Sequence, residues 1–421
     1  MQPALIRRVR GTCLAGALCA SLAAFAADAP LSLEQAQRIA VERSRQIEAQ
    51  TLGVGAARDM AVAAGQLPDP VLSLGVNNLP IEGANRFTIS GEPMTMRSVG
   101  VMQELPSREK RALRAERFEK EALKELAEQE ATRAMIHRDT ALAWLDAWYS
   151  EAMAGVLAEQ RLRGLQEAQG AEAEYRAGRG SQADVLMART SLAMLDDRAA
   201  ELERKVRNAR TMLARWAGPG SDRPLAPKPD IHAVNLEAHG LDEQLSRHPE
   251  LAVLARQEEM ASAEARLARA NKKADWSVQL MYSVRGSAFG DMVSLGASIP
   301  LQWNEADRQD REVAAKLAAV GQAQARREEL LRQHVAEVKT MLDEWESNRT
   351  RLVRYEREIV PLATSRADAS LAAYRGGKSG ISEVLAARRG ELDAKLQALQ
   401  LESETARLWA QLNFLVAEER K

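Results

Sequence analysis

The residues best suited to chemistry in this chain lie in two matched segments. Ala173-Glu174-Tyr175-Arg176-Ala177-Gly178 precedes Ala183-Asp184-Val185-Leu186-Met187-Ala188-Arg189. Ala372-Ala373-Tyr374-Arg375-Gly376-Gly377 precedes Ser382-Glu383-Val384-Leu385-Ala386-Ala387-Arg388. In each, an acid stands six residues after the glycine that follows the tyrosine. A carboxylate there attracts cations, and it also suits the first turn of a helix, where the macrodipole favours negative charge. Other candidates are sparse. The five histidines, His137, His232, His239, His248 and His334, form no His-Glu-x-x-His pattern, and the three between 232 and 248 read as solvated linker. Met94, Met96 and Met102 offer thioethers that suit copper or silver, but read first as adaptable packing. No nucleophile beside a base and no phosphate-cradling glycine loop is visible. No catalytic residue, cofactor or metal site is therefore expected, and the chain does not read as an enzyme.

The matched segments belong to a longer duplication. Tyr175 and Tyr374 are 199 residues apart, Trp148 and Trp345 are 197 apart, and Ser98-Val99-Gly100 and Ser294-Leu295-Gly296 are 196 apart. Each copy reads as helix, hairpin, very long helix, helix. The first copy spans 27–218, with a helix over 32–65 that Ser32 caps, a hairpin over 69–106, a long helix over 107–177 and a helix over 181–216. From Ser107 to Ala177 there is no proline, and the only glycines are Gly155, Gly164 and Gly170. A linker covers 219–240. The second copy spans 241–421, with a helix over 241–273, a hairpin over 275–301, a long helix over 307–374 and a helix over 381–417. In that long helix Leu331, Val335, Val338, Leu342, Trp345 and Leu352 form a coiled-coil seam. At about 1.5 Å per residue the long helices measure roughly 100 Å and the others about half of that, so two short helices end to end match one long one.

Composition agrees with long helices. Of 421 residues, aromatics are only 4% and charged residues 28%, which argues against several compact cores. The 58 basic and 59 acidic groups nearly balance, so no basic surface for nucleic acid is advertised. Arg7, Arg8 and Arg10 precede an apolar run from Cys13 to Phe25, and Ala24-Phe25-Ala26 supplies the small residues of a cleavage site: residues 1–26 read as a removed secretory signal. Leu18 before Cys19 argues against a lipid anchor. Both cysteines fall in the leader, leaving a mature chain with no thiols.

The hairpins suggest what the helices are attached to. Val278, Leu280, Tyr282 and Val284 share one face against Ser277, Gln279, Met281 and Ser283, and Val293, Leu295, Ala297 and Ile299 oppose Ser294, Gly296 and Ser298. Four strands of about ten residues with one apolar face fit an outer-membrane barrel, but four cannot close one, and an open edge is intolerable in lipid. Three chains would supply twelve. Trp276 and Trp303 stand at opposite ends of the second hairpin, as an interfacial belt of aromatics would require. The competing reading is an exported coiled-coil protein whose hairpins are soluble caps.

With its signal peptide, duplicated unit and paired Tyr-x-x-Gly segments leading into acid-Val-Leu, the mature chain resembles the TolC-type outer membrane factors. Gln66-Leu67-Pro68-Asp69-Pro70-Val71-Leu72, Met94-Thr95-Met96, Gly100-Val101-Met102-Gln103-Glu104-Leu105-Pro106 and Ile359-Val360-Pro361-Leu362-Ala363 are similar to the CzcC-like branch that serves heavy-metal efflux pumps. The resemblance implies a mainly α fold with a small β part, a homotrimer closing a twelve-stranded barrel in outer-membrane lipid, and a helical tunnel in the periplasm. It also implies a periplasmic adaptor and an inner-membrane transporter of the resistance-nodulation-division type as partners. Substrate would pass without chemistry, the cargo being metal cations, or else drugs or a polypeptide. On the same resemblance Asp184 and Glu383 take acidic gate positions, with Tyr175 and Tyr374 beside them. The turns Gly178-Arg179-Gly180-Ser181 and Gly376-Gly377-Lys378-Ser379-Gly380 meet the adaptor. Met187 and Ala386, one turn beyond the acids, depart from relatives that carry a second acid there.

Overall fold

The computed structural model describes residues 29–236 and 240–415, so the expected leader, with both cysteines, and His239 lie outside the described residues. The same order of elements occurs twice. The first copy contains α1 (Leu33–Glu42), α2 (Arg45–Ala64), β1 (Val71–Asn77), β2 (Met96–Leu105), α3 (Arg108–Arg176) and α4 (Gln182–Ala217). The second contains α5 (Leu241–Ser246), α6 (Pro249–Asn271), β3 (Trp276–Val284), β4 (Met292–Ser298), α7 (Gln309–Arg354), α8 (Val360–Arg375) and α9 (Ile381–Asn413).

Three expected helices are interrupted. The helix over 32–65 breaks between α1 and α2, where the Arg43 N–H bonds to Ile39 O and the Ser44 N–H to Val41 O, a tightening last turn. The helix over 241–273 breaks between α5 and α6: Pro249 excludes helical backbone at the residue before it, and His248 takes φ −58° and ψ 134° as the cap of α6. In the second long helix a π turn, Tyr355–Ile359, separates α7 from α8, with the Val360 N–H reaching back to Tyr355 O. Pro361 follows, and having no N–H it cannot continue the ordinary ladder; the wider turn absorbs the fault.

The chain folds as two compact units. One comprises the described residues of 29–44, 134–236 and 337–415. Its core gathers Leu31, Trp144, Leu145, Tyr149, Leu213, Ile231, Ala406 and Ala410. Here the described part of the expected linker, residues 219–236, is anchored rather than loose. Leu31 bridges Leu225 in parallel, Trp144 Nε1 donates to Leu31 O at 3.0 Å, Trp345 Nε1 to Ile231 O at 3.2 Å, and Trp409 Nε1 to Ala233 O at 2.9 Å. Equivalent bonds make Trp144, not Trp148, the structural counterpart of Trp345. Trp148 is half-buried and packs edge-on against Tyr149.

The other unit comprises residues 45–133 and the described residues of 240–336. Its helices meet through small residues, Val54 and Ala57 of α2 against Ala122 of α3. This explains how a chain with few aromatics still buries apolar surface. The four strands form one antiparallel sheet in the order β1-β2-β3-β4, the two hairpins joined by β2 and β3. The outer strands are seven residues long, against ten and nine for the inner pair. The outer strands fall short of the expected ten, each pairing with its inner neighbour along seven residues.

Candidate functional site

The two turns that the duplicated segments predicted are built alike. Gly178 and Gly377 hold φ of +75° and +71°, which only glycine adopts freely. The Gly178 N–H bonds to Tyr175 O at 3.0 Å and the Arg179 N–H to Glu174 O at 2.9 Å; the Gly377 N–H bonds to Tyr374 O and the Lys378 N–H to Ala373 O, both at 2.9 Å. Each turn therefore satisfies the last carbonyls of one helix and starts the next. Arg179 forks onto Glu174 at 2.7 and 3.0 Å, an exposed pair that the second copy lacks because Ala373 replaces the acid. Gly178, Arg179, Ser181, Gly376, Gly377, Lys378 and Gly380 are exposed, Gly180 and Ser379 half-buried.

Asp184 and Glu383 both occupy the third position of their helices, but they are used differently. Asp184 Oδ2 accepts from the Ser181 N–H at 3.0 Å and from Ser181 Oγ at 2.6 Å, while Ser181 Oγ accepts from the Asp184 N–H at 3.1 Å. That is a complete capping box, and bonding to the Ser181 hydroxyl and then its backbone holds the carboxyl below its ordinary range. Glu383 is exposed, and Gly380 before α9 gives no side-chain cap. The tyrosines diverge too. Tyr374 packs on the cluster of Ala168, Ala171, Val185, Ala188, Ile381 and Val384 that joins the two copies, whereas Tyr175 is exposed. Burial raises the Tyr374 phenol, as do the charges of Glu174 and Asp184.

Above the tips, in the same unit, a polar network missed by sequence reasoning ties α3, α8 and α9. Glu391, fully buried, accepts from Lys395 at 2.7 Å and Arg388 at 2.9 Å, and Arg388 also meets Glu167 at 3.3 Å. Burial pushes both acids upward. In Glu391 the bonds to Lys395 and Arg388 outweigh it and the carboxyl ends low, whereas Glu167 stays high. Alternation of charge on a helix face cannot reveal which acid is buried, so no sequence signal marked Glu391. Beside the network lies a groove of about 650 Å³ between α4 and α9, lined by Met187, Met194, Leu195, Leu385, Ala386 and Leu392. Met187 and Ala386 line this groove together with the charged side chains of Glu167, Arg198, Arg388, Arg389 and Asp393.

In the other unit, pairing aligns the strand alternation across all four strands. Leu72, Val101, Leu280 and Leu295 form one row, and Leu74, Val99, Tyr282 and Val293 the next. All eight are exposed. The opposite face carries Ser73, Gly100, Met281 and Ser294 in one row and Gly75, Ser98, Ser283 and Met292 in another. Trp276 and Trp303 are exposed, but they do not mark two rims as expected. Antiparallel pairing of Ser277 with Ser298 returns the end of β4 to the start of β3, and Gln302 Nε2 reaches Asn271 O at 3.3 Å, so both indoles stand at one end of the sheet.

No family model and no curated protein sequence matches the chain. Solved structures do. The outer membrane protein VceC of Vibrio cholerae is 17% identical, with 91% of this chain and 95% of that one covered and a TM-score of 0.73. CusC, a transmembrane channel, is 17% identical, with 91% and 92% covered and a TM-score of 0.75. The Campylobacter jejuni outer membrane channel CmeC is 11% identical, with 92% and 87% covered and a TM-score of 0.75. This chain has the fold of an outer-membrane channel. An outer-membrane channel fold accounts for the exposed apolar rows of the sheet, and its long helices account for the two half-length partners in each copy. Among the described residues no helix is long and apolar enough to cross a membrane.

Proposed function

We propose that the chain is a TolC-type outer membrane factor, the outer-membrane channel of a tripartite efflux system. It works as a passive homotrimeric duct with its helices in the periplasm, fed by a periplasmic adaptor and an inner-membrane transporter of the resistance-nodulation-division type. The sheet carries this reading. Its exposed face of Leu, Val and Tyr belongs against lipid, its Ser- and Gly-rich face against water, and the unpaired edges of β1 and β4 need neighbours, which two further copies provide. The exposed turns at Gly178 and Gly377, with the α4–α9 groove beside them, suit adaptor contact. Asp184 and Glu383, tripled, give carboxylate rings that draw cations. The cargo we assign is heavy-metal cations, supported by the segments similar to the CzcC-like branch.

Two measurements test this. Membrane fractionation with crosslinking is expected to recover an outer-membrane trimer; a soluble periplasmic monomer would leave only an exported coiled-coil protein. Deleting the gene is expected to raise sensitivity to zinc, cobalt, cadmium, copper or silver. Sensitivity to drugs alone would replace the metal cargo with a multidrug one.

A further inference from the structure

His248 does not behave as linker. It caps α6, is 6% exposed, and faces His334 of α7, which is 8% exposed, with ring centroids 4.5 Å apart. Glu250, in the first turn of α6, brings Oε2 to 3.3 Å from His334 Nε2. One ligand atom from each of the three residues fits within a 4.8 Å span, and all three lie in the same compact unit. The geometry points to a binding site for one divalent transition cation, formed by His248, Glu250 and His334 and clamping the start of α6 to α7.

The chemistry follows from the donors. Two imidazoles and one carboxylate suit zinc, nickel, cobalt or copper rather than calcium or magnesium, which take all-oxygen shells. For a tetrahedral ion with bonds of about 2.0–2.1 Å, neighbouring ligand atoms sit roughly 3.3 Å apart, the separation already found between Glu250 and His334. His248 enters by exchanging a weak bond. Its Nδ1 accepts the Glu250 N–H at 3.2 Å, near the long limit for such a bond. A metal at Nδ1 replaces that bond, and a metal at Nε2 moves the ring hydrogen to Nδ1 and likewise ends it. Glu250 supplies the negative charge, and its half-exposed side chain leaves the ion a route from solvent. Its test does not depend on the proposed cargo, because bound metal is counted on the purified chain without transport.

The test uses the full chain in detergent, stripped with chelator and dialysed against zinc chloride, with bound metal counted by mass spectrometry. We expect one zinc per chain above the level set by the remaining histidines. His334→Gln and His248→Asn should each weaken that site by more than the roughly 10–100-fold that follows loss of a residue merely orienting a ligand. His248→Asn is the safer variant for folding, since Asn is itself a preferred helix cap. Absence of zinc from the native chain, or equal zinc in the native chain and in folded His248→Asn, would overturn the proposal.

Discussion

At Asp184 one carboxylate oxygen is committed to Ser181, whereas Glu383 at the same helical position makes no capping bond to its helix start. Replacing each in turn separates gating from capping. Glu383→Ala leaves α9 capped as before, so any change in ion flow belongs to its charge. Asp184→Ala also frays the start of α4. With both removed, block of single channels by a divalent cation is expected to weaken about tenfold, roughly 1.4 kcal/mol of lost attraction. Unaltered block in planar bilayers would deny both acids a gate role. The pH dependence has a definite sign. The Asp184 carboxyl is depressed, so its contribution to the helix start is complete above the ordinary value of about 3.9 and is lost only as pH falls through the depressed one. Cap loss therefore cannot explain any change between pH 5 and 8. Sequence spacing made these acids legible because both copies repeat it. It did not make His334 legible: the heptad through Leu331, Val338, Trp345 and Leu352 leaves 334 and 335 equally placed, and apolarity favoured Val335, while packing buries His334 and leaves Val335 half-exposed.

Among the elements, the tip turns are legible in the duplicated Tyr-x-x-Gly segments, since positive φ at Gly178 and Gly377 is a steric demand that glycine meets. Helix interruptions were harder. Pro249 announces the start of α6, but Ser44 breaks α1 from α2 inside an unbroken helical pattern, with neither glycine nor proline to mark it. The π turn before Pro361 is a similar case: the proline is visible, but whether it ends, kinks or widens the helix depends on packing. The turns nonetheless yield an element-scale prediction. Gly178→Val and Gly377→Val place a β-branched side chain at positive φ, a local strain of about 1–2 kcal/mol per site. Such strain is small beside the stability of a trimer, so trimer recovery should be unchanged while crosslinking to the adaptor falls severalfold. Full crosslinking with both valines present would remove the turns from the docking surface.

For the whole molecule, the sheet is the feature that the proposed assembly must accommodate. Its apolar rows are exposed in a single chain, and its outer strands β1 and β4 each offer an unpaired edge. In the proposed outer-membrane duct, lipid accepts the first and rejects the second, so copies would close edge to edge with the apolar rows outward. Leu295 and Ser294 are adjacent in β4 and point to opposite faces, which makes them a paired test. Leu295→Arg sets a charge on the lipid side, where the penalty is about 2–4 kcal/mol per strand near mid-membrane, and three copies incur it together. Ser294→Arg sets the same charge, at the same depth, on the water-filled side. We expect Leu295→Arg to abolish the outer-membrane trimer and Ser294→Arg to preserve it while altering conductance. Equal recovery of both trimers would mean that the apolar rows do not face lipid, and the barrel reading would fall with them.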